Sequence, residues 1–74
     1  MFKNALYQLL SNRYELNNVQ SSYEEVKKNL PKNSSEEMNI HMDKLNDIMA
    51  NYSDNKAYEL RNLISYYMIP LANQ

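Results

Sequence analysis

The residues best equipped for chemistry are few. His41 is the only histidine in 74 residues, and cysteine, glycine and threonine are absent. On a helix His41 lies one turn after Glu37, a spacing at which two side chains can share a metal ion. A structural zinc site needs about four donors, and a helical di-iron site needs Glu-x-x-His on facing helices. Here the interval is Glu-x-x-x-His with no second His or Cys, so His41 reads as a boundary histidine paired with a neighbouring carboxylate. Nucleophilic catalysis needs an activated Ser, Cys or Thr and oxyanion donors on a shaped turn. With one histidine, no glycine elbow and most serines at expected caps, a hydrolase does not fit. The paired carboxylates Glu24/Glu25 and Glu36/Glu37 are sequence neighbours, which point about 100° apart on a helix. Both pairs suit first turns, where acids complement the helix dipole. The expectation is a chain that is not an enzyme, with no catalytic residue, no cofactor and no metal.

Charge points the same way. Eight Lys and Arg face nine Asp and Glu, a net charge of −1. Nucleic-acid binding draws on clustered cations that replace counterions at phosphates. The densest basic cluster, Lys27, Lys28 and Lys32, follows Glu24 and Glu25 directly and reads as a solvated helix face, so no nucleic-acid partner is expected. A helix-turn-helix reader built on Tyr23–Leu30 and Ser35–Tyr52 would carry Lys44 against Glu36, Glu37, Asp43 and Asp47, the wrong sign for DNA. The longest apolar cluster, Leu63 to Leu71, contains Ser65 and Pro70 and falls short of the roughly 20 residues that span a bilayer. Met1-Phe2-Lys3-Asn4 does not begin a signal peptide. The expected setting is cytoplasmic, without membrane contact. Richness in Asn, Lys, Tyr and Ile suits an AT-rich genome such as that of a low-GC bacterium or its phage.

Along the chain, apolar positions recur at helical intervals throughout and nothing alternates with period two. The expected fold class is all-α, a small bundle of three to four helices over residues 2–19, 22–30, 35–52 and 56–69. Phe2, Ala5, Leu9, Asn12, Leu16, Val19, Tyr23, Val26 and Leu30 alternate in steps of three and four, the spacing of packed helices. By itself this stripe describes one helix of roughly 40 Å. Ser21 and Ser22, each with Glu three positions later, resemble capping boxes and place a break or kink near Ser21. Leu30-Pro31 ends the second helix. Ser34 or Ser35 caps the third, whose inner face is Met38, Met42, Leu45, Ile48, Met49 and Tyr52. Asp54 caps the last, with Ala57, Leu60, Ile64, Tyr67 and Leu71 inward and Pro70 closing it. Residues 1–74 form one domain, and 71–74 read as a fraying tail.

Some large side chains fall outside these stripes. Leu6, Tyr7, Leu10 and Tyr14 form a second strip on the first helix, and Tyr58 and Tyr66 lie off the inner face of the last. Tyrosine is enriched at interfaces because it joins a large rigid ring to a polar tip. A domain this small has little core of its own, and with no cysteine for disulfides, association is the remaining source of burial. Leu6, Tyr7, Leu10, Tyr14, Tyr58 and Tyr66 are therefore the candidate binding residues. The expected function is protein–protein interaction, as a small regulator or inhibitor of another protein. The alternative is a self-assembling scaffold, with a homodimer the favoured assembly.

Overall fold

The structure is a computed structural model that describes residues 1–74. Its elements are all helical: α1 (Phe2–Ser11), α2 (Leu16–Lys28), α3 (Glu36–Ala50), α4 (Lys56–Leu63), a π turn (Ile64–Met68) and α5 (Ile69–Ala72). The last three run on without interruption as one rod. α1 is flanked by α2 on one side and by the π turn and α5 on the other, while α3 packs along the α4–α5 rod.

The first chain reversal is not where the serines place it. α1 ends at Asn12, whose backbone is extended at φ −73°, ψ 158°, and α2 begins after Glu15. Ser21 and Ser22 lie within α2, not at its start. The cause is packing. Weak helix formers cost a few tenths of a kcal/mol each, whereas burying a Val or Tyr side chain is worth about 1.5–3 kcal/mol. Val19, Ser22, Tyr23 and Val26 of α2 are buried, and Ser21 Oγ satisfies itself on the Asn17 carbonyl (3.1 Å). Asn12, the one polar residue of the long stripe, takes the reversal. Its Nδ2 donates to the Asn18 carbonyl (3.0 Å) and to Ser22 Oγ, and its Oδ1 accepts from the Arg13 N–H (3.0 Å). The longest dimension of the molecule is 31 Å, so the stripe is folded back on itself and does not form the 40 Å rod.

α3 starts at Ser35, whose hydroxyl accepts the Met38 N–H at 3.0 Å, with Glu36 and Glu37 in the first turn. Its inner face is the expected one: Met38, Met42, Leu45 and Met49 are buried, with Ile48 and Tyr52 half-buried beside them. α4 has no side-chain cap. Asp54 contributes its carbonyl to Ala57 (3.3 Å), and Ser53 its carbonyl to Lys56 (2.8 Å), so backbone turn bonds start this helix where a carboxylate cap was expected.

The π turn corrects two expectations for the last helix. The Ile69 N–H bonds to the Ile64 carbonyl, five residues back, which inserts one residue into the helical count. Leu60, Leu63, Ile64, Met68 and Ile69 are buried, while Tyr67, expected inward, is 55% exposed. Pro70 does not close the rod. A proline ring collides with the carbonyl four residues earlier in a regular α-helix, and the widened turn just before Pro70 relieves that collision. α5 then carries Leu71 and Ala72 back against the core, so these two residues are not part of a fraying tail.

Fifteen apolar residues from all the helices form one core, and Ser22 is the single buried polar residue. No buried side-chain polar atom lacks a hydrogen bond.

Candidate interaction surface

Of the six residues expected at a binding surface, one belongs to the interior. Leu6 is fully buried, because α1 has neighbours on two sides, α2 on one and the π turn and α5 on the other. Leu10 is half-buried against the core. Tyr14 is also half-buried and is fixed by its neighbours. Its hydroxyl donates to the Leu10 carbonyl, and its own carbonyl accepts the Tyr52 hydroxyl (2.9 Å). The Arg61 guanidinium lies over its ring, 4.8 Å from the centroid. Burial raises the Tyr14 hydroxyl above its ordinary range, with Arg61 opposing. The Tyr52 hydroxyl is raised too, by burial first and by Asp54, again against Arg61. These contacts tie the α1–α2 corner to the α3–α4 turn, which is a structural use of both rings.

Tyr7, Tyr58 and Tyr66 lie in solvent, the last two 69% and 71% exposed. Tyr67 joins them. The sequence held a signal for this: Pro70 inside the apolar run Met68-Ile69-Pro70-Leu71 marks a helix that cannot keep a regular count. In an unbroken α-helix, residues 60, 64, 67 and 71 share one face. The inserted residue puts Met68 on that face and turns Tyr67 outward beside Tyr66, which lies off the inner face in either count.

Tyr67 does not stand alone. Its ring lies 5.1 Å from that of His41, tilted by 42°. His41 Nδ1 donates to the Glu37 main-chain carbonyl at 2.7 Å; the expected carboxylate partner is replaced by this carbonyl. Beyond this tilted pair, a shallow groove between α3 and the rod is lined by Lys44, Ile48, Glu59, Leu63 and Tyr67 and continues past Asn51 and Lys56. Lys56 and Glu59 pair across one helical turn at 3.1 Å. The surface is thus aromatic and aliphatic at its centre with charges of both signs at its margin.

On the opposite flank the buried tyrosine is structural. Tyr23 donates its hydroxyl to Asn46 Oδ1 at 2.6 Å, joining α2 to α3, and Lys27 covers its ring at 4.4 Å. Nowhere do three His, Asp or Glu side chains converge, and no helix is long and apolar enough to cross a membrane. The largest hollow, about 580 Å³, opens among Phe2, Pro31, Met38 and Leu71 where α1 and α3 begin and α5 ends.

The fold and surface together describe a small all-α bundle with a tyrosine-bearing rod along one side. Compared with protein-family models, curated proteins and solved structures, the chain matches none.

Proposed function

We propose that this chain is a non-enzymatic protein–protein interaction module, a small regulator or inhibitor that acts by packing its α4–α5 rod against another protein. The observation that supports this reading is the π turn with its exposed tyrosine pair. A one-residue insertion costs helix hydrogen bonding, and such turns concentrate at functional sites. Here it sets Tyr67 in water beside the exposed Tyr66 while Met68 fills the core. Tyrosine at the centre of an interface supplies much of the binding energy through ring burial, with polar neighbours excluding water around it. The groove beside Tyr67 and its mixed-charge margin suit that arrangement.

The test compares wild-type protein with Tyr58→Ala, Tyr66→Ala and Tyr67→Ala combined, each used to capture partners from lysate. These rings lie outside the core, so the variant should keep its helicity. A stoichiometric partner held by the wild type and lost by the folded variant supports the reading. A partner retained equally by both removes the tyrosine face from it. Leu10 and Tyr14 are unsuitable for this purpose, because charge at either position disturbs packing.

A further inference from the structure

We propose that the α1–α2 corner is a hinge through which two copies of this chain exchange α1, each then carrying one continuous helix over residues 2–28. Four observations lead there. The apolar stripe Phe2, Ala5, Leu9, Asn12, Leu16, Val19, Tyr23 and Val26 keeps its three–four spacing straight across the reversal, although a non-helical connection imposes no such register. The reversal itself, Asn12-Arg13-Tyr14-Glu15, has no glycine, proline or positive φ, so each of its residues can turn helical. Leu16, on the stripe, is 56% exposed in the single chain. Finally, the elements that α1 packs against, α2, the π turn and α5, all follow the hinge in sequence, so a second copy can supply every one of those contacts unchanged.

What distinguishes the two forms is therefore confined to the corner. The closed form holds the Asn12 bonds to Asn18 and Ser22, and the Tyr14 contacts with Tyr52 and Arg61. The exchanged form replaces them with helical hydrogen bonds through residues 12–15 and with a seam about a two-fold axis where Leu16 of one copy meets the other. A single Asn within an apolar stripe is the kind of residue that selects between such assemblies, and short hinges favour exchange. This inference does not depend on the tyrosine face, since Tyr58, Tyr66 and Tyr67 remain exposed in both forms.

The experiment is refolding from denaturant at micromolar and at millimolar protein, followed by sedimentation and by scattering for the longest dimension. Wild type should form dimer only at the higher concentration, and Asn12→Leu should raise the dimer share several-fold. Leu16→Pro should abolish it. Proline suits the first position of α2, following the extended Glu15 (φ −77°, ψ 142°), and cannot sit within a continuous helix. Should Leu16→Pro not fold, Asn12→Cys/Ser22→Cys decides. Its side chains touch in the closed form but lie about 15 Å apart along one straight helix, so oxidation before refolding should leave only monomer and reduction should restore dimer. A monomeric Asn12→Leu at millimolar concentration overturns the proposal. So does a dimer that forms as readily in Leu16→Pro, or in the oxidised pair, as in the wild type.

Discussion

At the corner between α1 and α2 one amide side chain organises a turn that contains no glycine. Asn12 reaches Asn18 and Ser22 at once, and Ser22 is the only polar residue in the interior. Asn12→Ala leaves that buried hydroxyl without its donor and should cost about 1–3 kcal/mol, read by chemical denaturation. Tyr52→Phe removes the bond to the Tyr14 carbonyl and should cost about 1 kcal/mol. The same pair makes the fold sensitive to alkali. Both hydroxyls have folded-state pKa values above their unfolded ones, so their neutral forms favour the folded chain. That stability is complete below the unfolded value of about 10 and disappears as pH rises through the folded values. A pH series of melts should show stability falling above pH 10, less steeply in Tyr52→Phe. Asn12 was visible in the sequence as the lone polar residue of its stripe. Its partners were not, because Ser22 is ten residues away and their bond exists only after the chain has folded back.

Among the elements, the third helix was the most legible. Ser35, Glu36 and Glu37 announce its start, Met38, Met42, Leu45 and Met49 its inner face, and both survive because cap and stripe agree. Ser35→Ala should cost about 1 kcal/mol. The Ser21 and Ser22 boxes misled because Ser followed by Glu three residues on also occurs inside a helix, and burial of Val19, Tyr23 and Val26 outweighs the local preference. The last rod was half legible. Leu60 and Ile64 obey a regular period, after which the π turn shifts the count. Pro70 and that turn form a unit, which a deletion tests. Removing Tyr66 returns the rod to an α count and presses the proline ring on the carbonyl four residues earlier, at a cost of about 3 kcal/mol. In a Pro70→Ala background the same deletion should cost much less, and a double-mutant cycle measures the difference. Equal costs in both backgrounds would separate the turn from the proline.

For the whole molecule, the division between core and surface decides which tyrosines and leucines are free for binding. Leu6 looked like surface because a one-dimensional stripe cannot show that α1 has neighbours on two sides. Leu6→Ala should cost about 2–5 kcal/mol, while Tyr66→Ala should change stability by about 0.5 kcal/mol or less. Thermal melts of the two variants side by side check both values. Fold class followed from periodicity alone; the exposure of Tyr67 followed from the inserted residue near Pro70, which a regular helical count does not show.

The most direct measurement is site-specific photo-crosslinking in the source cells, with a photoreactive phenylalanine at position 66 and, as control, at the exposed Gln20 of α2. A recognition face on the rod predicts one discrete adduct with another protein from position 66 and none from position 20. Adducts absent from position 66, or equally abundant from position 20, would contradict it.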